Sequence, residues 1–362
     1  MRRCSLAVIA ALWVFPLSAQ ELAAPRLSPF EPASTGGVAV VDRALAKLSN
    51  HQRLLIVGAH PDDEDTTLLA LVGIGMGGEA AYLSLSRGEG GQNLIGPELG
   101  LGLGLIRTGE LLAARGVEGT RQYFTRAYDF GYTRSLEETF ERWPRDVLLE
   151  DAVRAVRRFK PQVIVAIFPG NARAGHGQHQ AAGVIAEEVF HRSGEPDLYP
   201  ELTAAGLPPW QAKMLYRRVW RKSEEATLEF ALDPIDPLTG RSMLQLAGAS
   251  RSMHRSQDMG TLQSLGSRRG GLIWLSGEVA NEPTAIFDGV DTDLMAIAEL
   301  LPSASVRSLA RARLREISSL ATEARRSLAP MEASASAPAL AQIVVGIDTL
   351  IEQIEGLESD TV

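Results

Sequence analysis

Short apolar runs that alternate with helical patterns constrain the fold of this chain most strongly. Gln162–Phe168 (QVIVAIF) gives the clearest strand pattern, and Arg53–Ala59 (RLLIVGA) is a second run of the same kind. Apolar residues at helical spacing follow each run, at Thr66–Val72 and Gly177–Phe190. Strands that alternate with helices predict an α/β fold, here a Rossmann-like, mostly parallel sheet with helices on both faces.

Weaker patterns extend this prediction along the chain. They add two strands and two helices, at Ala80–Ser86, Leu272–Leu275, residues 106–117 and residues 146–159. The stretch 229–242 is rich in Pro, Asp and Gly, which predicts a surface loop. Gly96–Gly104 is rich in glycine, and we expect a mobile loop beside the functional site there.

The pattern changes after Pro302. Apolar residues at helical spacing on both sides of Ala329–Pro338 predict two amphipathic helices. We therefore expect a main domain over residues 20–300, followed by a C-terminal helical hairpin over residues 301–362. Packing of the hairpin on the main domain is one interpretation of this pattern, and an oligomerisation element is the other.

The first residues have the order of a secretory signal peptide. Arg2 and Arg3 provide a positive start, and Leu6–Val14 is an apolar run without charge. This run is too short to span a bilayer, and the small residues before Gln20 offer a cleavage point. We predict that residues 1–19 are removed and that the protein is secreted or periplasmic, without a membrane span in the mature chain. A retained N-terminal anchor is the alternative.

Composition limits the partners and the kinds of site. Cys4, the single cysteine, lies in the segment predicted to be removed, so the mature chain would contain neither a disulfide nor a cysteine-ligated metal. The formal net charge is −8 and no basic run is visible, which disfavours nucleic acid as a partner. With 45% apolar residues, the chain can bury the core of one large domain or of two smaller ones.

An acidic cluster with one histidine directly follows the first strand run. The cluster consists of His60, Pro61, Asp62, Asp63 and Glu64. In an open α/β sheet, ligands bind just beyond the carboxyl ends of the strands, so this position favours a site. Acidic residues in a first helical turn also stabilise the helix dipole, and a simple helix start would explain the carboxylates. It would not explain a histidine that a proline holds beside them.

Two histidines three positions apart follow the second strand run. His176 and His179 lie in the segment Gly175–His179, and their spacing puts both on one side of a helical turn. Surface or capping histidines are the alternative. Together the two clusters hold three of the six histidines in the chain. Imidazole and carboxylate ligands without cysteine suit a catalytic zinc, which takes three protein ligands and leaves one position for water. One carboxylate would remain to move protons.

The first cluster also carries a specific resemblance. His60–Glu64 is similar to the His-Pro-Asp-Asp-Glu signature of the PIG-L/LmbE-like deacetylases, a family of zinc-dependent N-acetylglucosaminyl deacetylases. Arg107–Glu110 resembles the family's Arg-x-x-Glu helix start, and Gly88–Gly91 resembles its Gly-Glu-rich loop. The similarity runs from about residue 52 to 192, with continuation to about 300, and leaves the C-terminal helices uncovered.

The resemblance implies a metal site and a catalytic pair. It makes His60, Asp63 and His179 the ligands of one zinc ion, or another divalent metal, per chain. It makes Asp62 the general base. It makes His176 the group that stabilises the oxyanion or serves as the acid.

The resemblance also implies a substrate. Arg107 would hold a sugar, and Asp129 would provide a carboxylate that contacts it. The implied reaction is the hydrolytic removal of an acetyl group from an N-acetylated amino sugar of the N-acetylglucosamine type. A small molecule or a glycan could carry that sugar, and the oligomeric state stays open.

The chain departs from the family pattern at two positions. The family often has His-Pro-Asp-His at His176–His179, whereas Gln178 provides no carboxylate to orient a histidine and raise its basicity. This departure puts the protonation state of His176 in question. Gln92 stands where some relatives place an acidic substrate contact, so the substrate is expected to differ.

Other functions fit some of the same residues. A zinc amidase acting on a non-sugar N-acyl conjugate would use the same ligands, and a non-catalytic carbohydrate-binding protein would keep a relic metal site. Gly73, Gly75 and Gly78 match a Gly-x-Gly-x-x-Gly spacing. They follow a predicted helix rather than a strand, which disfavours a dinucleotide site. His254 is expected either to contact substrate or to have a structural role.

Overall fold

The computed structural model describes residues 37–359, except positions 220, 222, 261, 280, 302 and 330. The predicted signal peptide at residues 1–19, with Cys4 and the cleavage point before Gln20, lies outside the described residues. The predictions of its removal and of an exported protein therefore stay predictions.

A seven-stranded mixed sheet forms the centre of the molecule, in the order β3-β2-β1-β4-β5-β9-β6. The first five strands are parallel to one another: β1 (Arg53–Gly58), β2 (Glu79–Ser84), β3 (Arg121–Phe124), β4 (Val163–Ala166) and β5 (Met214–Arg218). The antiparallel strands β9 (Arg269–Gly277) and β6 (Leu228–Ala231) extend one edge. A separate two-stranded ladder joins β7 (Ile235–Asp236) and β8 (Arg241–Ser242).

The central strands are continuous apolar runs because helices cover both of their faces. Leu54, Leu55, Ile56 and Val57 of β1 are all fully buried. The helices are α1 (Val38–Lys47), α2 (Thr66–Ala70), α3 (Leu101–Glu118), α4 (Leu136–Arg142), α5 (Arg145–Phe159), α6 (Gly177–Arg192), α7 (Pro200–Ala204), α8 (Met243–Arg251), α9 (Ala304–Ser327) and α10 (Ala337–Ser359). The helices α5 and α6 pack together on one face, and α2, α3 and α8 pack together on the other.

The order of the strands positions the site. From β1 the chain builds the sheet towards β2 and β3, and it then returns to add β4 and β5 on the opposite side of β1. The connections that leave the carboxyl ends of β1 and β4 therefore diverge, and a crevice opens between them. Both histidine-bearing clusters of the sequence lie in these two connections.

A second apolar core lies away from the sheet, between α9, α10 and α1. Its buried residues are Leu45, Ala298, Ala310, Ile317, Ala321, Ala324, Ala339, Ile343 and Leu350. The guanidinium of Arg325 on α9 also binds the carboxylate of Asp42 on α1, with contacts of 2.9 and 3.0 Å. The predicted C-terminal hairpin is confirmed as a pair of packed helices, and α1 from the other end of the described chain packs against it.

One helical stretch among the described residues, Ala333–Gly356, is long and apolar enough to cross a membrane by length and composition, with a mean hydropathy of 1.4. Core helices of water-soluble proteins pass the same test. Of the 18 most apolar consecutive residues in this stretch, 17% are buried in the structure. Its main part, α10, packs along α9.

The structure changes two of the loop predictions. Residues 229–242 do not form a plain surface loop, because the stretch contains most of β6 and the β7–β8 ladder. In β6 buried and exposed residues alternate, as in a half-buried strand. The strand has only four residues and turn-forming residues lie nearby, so the sequence pattern does not indicate it. Gly96–Gly104 is not entirely a loop either, since α3 begins at Leu101.

Candidate metal centre and active-site cleft

The two polar clusters meet in one cleft at the carboxyl edge of the sheet, as their positions after β1 and β4 predict. The cleft has a volume of about 540 Å³. Its lining includes every site residue predicted from the sequence: His60, Asp62, Asp63, Gln92, Arg107, Asp129, His176 and His179. Gly90, Gly91, Gly131, Tyr132, Gln178, Gln257 and Met259 complete the lining.

The first loop, residues 59–65, joins β1 to α2, and Asp63 lies at its centre. Its Oδ2 accepts hydrogen bonds from the backbone N–H groups of Ala59, at 3.0 Å, and His60, at 2.7 Å. The same oxygen is 3.2 Å from His60 Nδ1, and Oδ1 is 3.4 Å from His179 Nε2. Although burial opposes it, the two histidines hold the pKa of Asp63 well below its usual range. The carboxylate is therefore charged and faces both imidazoles.

His179 is oriented by its surroundings in the second loop. Its ring stacks on that of Phe168, with 3.7 Å between centroids and 10° between planes. Its Nδ1 is 3.3 Å from the carbonyl oxygen of Ala174. If Nδ1 carries the hydrogen towards that carbonyl, Nε2 has its lone pair on the side of Asp63. A backbone carbonyl behind the ring is the usual partner of a metal-binding histidine.

Gln178 orients His60 across the cleft. Its Nε2 donates to Oδ1 of the buried Asp129 at 3.0 Å, so its Oε1 must face His60 Nε2, which is 2.9 Å away. An amide oxygen only accepts, and His60 therefore carries a hydrogen on Nε2. Sequence reasoning placed Gln178 next to His176, and the structure instead places it between His60 and Asp129. No local pattern could have shown this, because the contact joins residues 118 positions apart.

The donor atoms fit a zinc ion. Since His60 Nε2 carries a hydrogen, two states allow Nδ1 to face the Asp63 carboxylate. Either Nδ1 is also protonated and the imidazole is positively charged, or a metal cation lies between Nδ1 and the carboxylate. Burial lowers the pKa of His60, but Asp63 outweighs it and raises the pKa to about 9. The separations, 3.2 Å from Asp63 Oδ2 to His60 Nδ1 and 3.4 Å from Asp63 Oδ1 to His179 Nε2, are each close to a tetrahedral edge, roughly 3.3–3.4 Å for zinc bonds of about 2.0–2.1 Å, and they involve different carboxylate oxygens. His60, Asp63 and His179 could hold the ion.

His176 is the third imidazole of the cleft. Ligand atoms of His60, His176 and His179 all lie within 4.8 Å of one another, so three histidines are an alternative ligand set. The buried Nδ1 of His176 has no hydrogen-bond partner among the described residues. Burial, together with the neighbouring histidines, lowers the pKa of His176 to about 4. The ring is therefore neutral near pH 7 and still has one N–H to donate.

Asp62 is half-buried beside the metal-binding atoms. Its Oδ1 accepts a hydrogen bond of 2.9 Å from Arg107 Nη2. Burial raises the pKa of the Asp62 carboxyl to about 6, against the opposing effect of the Arg107 guanidinium. A carboxylate with a pKa near neutrality, next to a candidate metal centre, suits general base catalysis.

Arg107 is only 3% exposed, and protein groups already engage its guanidinium. Besides Asp62, it binds the carbonyl oxygens of Gly88, at 3.1 Å, and Pro61. Gly88 has a φ of 72°, and a Cβ there would meet the guanidinium, so the glycine is required by close approach. The Gly-Glu-rich loop seen in the sequence therefore packs around Arg107. Its predicted contact with a sugar stays a prediction.

The other predicted residues have different surroundings. Asp129 is 3% exposed, and its Oδ1 binds both Gln178 and the backbone N–H of Gly131. Gln92 is exposed, and its carbonyl accepts from Gln257 Nε2 at 2.6 Å. His254 is fully buried and does not line the cleft, which favours the structural role.

Sequence reasoning did not find Tyr132. Its side chain is 75% exposed at the cleft, and its ring centroid is 5.6 Å from that of His176. An aromatic face at this position could pack against a sugar ring. A lone tyrosine in a stretch without regular structure gives no sequence signal for such a role.

Comparisons with known proteins identify the family of this part of the chain. The model of the PIG-L family, GlcNAc-PI de-N-acetylase, matches residues 55–190, which contain both loops. The 1D-myo-inositol 2-acetamido-2-deoxy-alpha-D-glucopyranoside deacetylase of Geodermatophilus obscurus is 30% identical over 217 residues, covering 52% of this chain and 72% of that protein. The protein of the same name from Thermobifida fusca is 31% identical over 206 residues, covering 51% of this chain and 68% of its own length.

Among solved structures, the N,N'-diacetylchitobiose deacetylase from Pyrococcus horikoshii in complex with its inhibitor MPG is similar at 21% identity and a TM-score of 0.45. The similarity covers 57% of this chain and 71% of that one. The sequence relatives, which match most of their own length, carry the assignment. This chain belongs to the PIG-L/LmbE-like family of N-acetylglucosamine deacetylases.

Proposed function

We propose that the protein is a zinc-dependent hydrolase that removes the acetyl group from an N-acetylated amino sugar of the N-acetylglucosamine type. One observation carries the proposal. Asp63 lies between His60 and His179 with one carboxylate oxygen near each imidazole, and a second carboxylate, Asp62, lines the same cleft. Sequence relatives whose names specify deacetylation of an acetamido sugar support the choice of substrate class.

Zinc would be held by His60, Asp63 and His179. When bound, it supplies Lewis-acid chemistry, polarising the amide carbonyl and making the attacking water more acidic. Gln178 and the carbonyl of Ala174 hold the far nitrogens of the two imidazoles, which keeps the ligand atoms directed at the metal position.

Asp62 and His176 would carry out the proton transfer and the charge stabilisation. Asp62 takes a proton from the attacking water and delivers it to the departing amine, a general base contribution of about 10²–10⁴-fold. His176 donates a hydrogen bond to the oxyanion, which develops on the carbonyl oxygen when the water attacks the acetyl carbon. A neutral imidazole is sufficient for this role, in accord with its lowered pKa. Acetate and the free amino sugar leave the cleft.

Substrate recognition would involve the cleft wall formed by Gln92, Asp129 and Tyr132. Gln92 is exposed and available to a hydroxyl group of the sugar. Arg107 would act mainly through Asp62, since its guanidinium already binds that carboxylate and two backbone carbonyls.

Release of acetate from a panel of N-acylated compounds tests the proposal. Zinc-loaded protein is incubated with N-acetylglucosamine, N,N'-diacetylchitobiose, an N-acetylglucosaminyl inositol and N-acetylated amino acids. We expect acetate from the sugars and little from the amino acids. Preferential cleavage of the amino acids would establish the non-sugar amidase instead. Sugar binding without acetate release would establish a carbohydrate-binding protein with a relic site.

We also propose that the protein acts outside the cytoplasm, on the basis of the N-terminal sequence. Expression of the full chain in a bacterium with an outer membrane, followed by fractionation and N-terminal sequencing, tests this. A periplasmic or secreted product that begins near Gln20 is expected. A cytoplasmic product that still begins at Met1 would contradict it.

A further inference from the structure

Asp62 has a backbone conformation that side-chain-bearing residues rarely adopt. Its φ is 97°, one of only four positive values at non-glycine positions among the described residues. Such a conformation costs free energy, because the Cβ atom crowds the neighbouring carbonyl, and it persists only where the surroundings enforce it. The contacts around Asp62 should therefore show what enforces it.

Three separate parts of the chain hold this residue. Its backbone N–H donates to Glu64 Oε2 at 2.9 Å. Its carbonyl oxygen accepts from Arg251 Nη1 at 2.6 Å, and its side chain accepts from Arg107 Nη2 at 2.9 Å. The amide, the carbonyl and the carboxylate of Asp62 are thus all fixed.

Glu64 is itself held by a buried network. Its Oε1 is 2.6 Å from His254 Nε2 and 3.1 Å from Arg115 Nη2. Glu64, Arg115 and His254 are at most 3% exposed. Replacing a buried ionic group by packed apolar residues is often neutral or stabilising, so such a network is weak evidence for a role in stability. It does specify geometry, because each of its members must keep its partner.

Arg251 and His254 lie outside the cleft lining and outside the segment that matches the family model. Arg251 is the last residue of α8, and this helix begins with a capping box formed by Ser242 and Gln245. Helix α8 packs on α2 and α3, so the guanidinium reaches Asp62 from a rigid element.

We propose that Arg251 and the His254–Glu64 pair are positioning residues, which hold the Asp62 peptide at positive φ so that its carboxylate faces the attacking water. This proposal rests on the proposed function, in which Asp62 is the base. Without Arg251 or Glu64, the peptide would relax towards negative φ and the carboxylate would turn away from the metal position. A displacement of about 1 Å at a reacting group can cost roughly 10²-fold in rate.

A double-mutant cycle tests the proposal. Arg251→Met keeps the aliphatic stem and removes the donor. We expect kcat to fall about 10–100-fold, while KM and zinc content stay near the wild-type values. In an Asp62→Asn background, Arg251→Met should lower the residual kcat by less than about twofold, because it acts through the carboxylate that is already lost. Arg251→Lys, which can still donate to the Asp62 carbonyl, should recover part of kcat.

The matched control is Arg218→Met. Arg218 and Arg251 both line a second cavity, separate from the cleft. Arg218 binds Asp65 Oδ2 at 3.0 Å and has no contact with Asp62. Its substitution should leave kcat unchanged. Equal losses of kcat from Arg251→Met in the wild-type and Asp62→Asn backgrounds would overturn the positioning role.

A stability measurement separates this proposal from the proposed function. Asp62→Gly should have a higher midpoint of thermal unfolding than Asp62→Ala, which loses the same carboxylate, because glycine adopts positive φ without strain. In the Asp62→Gly background, Arg251→Met should lower the midpoint by less than it does in the wild type. If Asp62→Asn keeps full kcat while both differences in the unfolding midpoint are observed, Asp62 is not the base. The proposal that the contacts hold Asp62 at positive φ would still stand. If Asp62→Gly is no more stable than Asp62→Ala, and Arg251→Met is equally costly in the wild-type and Asp62→Gly backgrounds, the proposal that these contacts hold Asp62 at positive φ is refuted.

Discussion

The two loops that form the cleft are held in place by different means. The loop after β1 is fixed by polar contacts, since Tyr82 binds the carbonyl of His60, and Asp63 binds the two N–H groups before it. In the segment after β4, close packing adds to the hydrogen bonds. Gly177 approaches Ser135 so closely that a Cβ atom would lie 2.0 Å from its carbonyl oxygen, and Phe168 stacks on His179.

The difference follows from what each loop supplies. The first loop carries both carboxylates proposed to act at the metal, Asp62 and Asp63, whose charges need fixed partners, and hydrogen bonds provide them. The second loop carries imidazoles, which are neutral when they bind a metal and can be positioned by packing. Substitutions in the first loop should therefore act through charge and hydrogen bonding, and those in the second through volume and ligand loss.

The largest expected effect is loss of the metal from the second loop. His179→Ala should abolish tight zinc binding, because it removes one of three protein ligands. Elemental analysis of the purified variant measures this, with His191→Ala on the distant end of α6 as the control. Full zinc occupancy in His179→Ala would exclude it as a ligand. Loss of zinc from His176→Ala, with Asp63→Ala unaffected, would establish the three-histidine set.

In the first loop, Asp62→Asn should keep zinc but lower kcat by about 10²–10⁴-fold, the usual contribution of a general base. Asp63→Asn should weaken zinc binding instead, because that carboxylate faces both imidazoles. Zinc content and kcat of the two variants are compared side by side. Equal zinc loss in both, with the fold retained, would contradict the division of roles.

His176→Ala should lower kcat by about 10²–10³-fold with zinc retained, as removal of one oxyanion donor typically does. The neutral state of His176 predicts that His176→Gln, which also offers an N–H donor, recovers part of this loss. An unchanged kcat in the alanine variant would remove His176 from the mechanism.

Gln178 lies in the first turn of α6, directly after the second loop, and binds His60 of the first loop, so it tests how separate the two regions are. Gln178→Leu should weaken zinc binding by about 10–100-fold, since it removes the partner of His60 Nε2. Competition with a chelator measures the affinity. Gln180→Leu is a control, because Gln180 donates to Gly175 and has no contact with His60. Equal affinities in the two variants would show that Gln178 does not orient the ligand.

The smallest expected effect tests fixation by shape. Gly177→Ala should lower the free energy of unfolding by about 1–3 kcal/mol, because the added methyl group meets backbone at Ser135. Gly109→Ala is the matched control, since a Cβ at this position of α3 meets nothing within 4 Å. That substitution should stabilise the protein by roughly 0.5–1 kcal/mol through helix propensity. Denaturant unfolding of both variants measures the difference.

Features that depend on neighbouring residues could be predicted from the sequence. The strand runs ending near Gly58 and Ala166 fix the sheet edge, and the polar residues that follow them fix the cleft. The same logic brought Asp62, Asp63 and the two histidines together correctly. Carboxylates and imidazoles that follow adjacent parallel strands lie at the same edge of the sheet, where the connections diverge and a crevice forms.

Features that depend on distant residues could not be predicted. Arg251 reaches Asp62 across 189 positions, and Gln178 reaches His60 across 118. No spacing rule connects such pairs. Glycine content also hid the first turn of α3. Residue 104 of this helix is a glycine because a Cβ there would be 2.7 Å from Glu89 Cγ. This glycine meets a packing requirement and does not indicate a loop.

The contact between α1 and α9 has a consequence for the order of folding. Asp42 and Arg325 are 283 positions apart, so α1 leaves the ribosome long before its partner exists. Until the residues of α9 follow, the apolar face of α1 around Leu45 lacks its main packing partner. Contacts of high sequence separation slow folding. We therefore expect α1 to dock only after the residues of α9 have been synthesised.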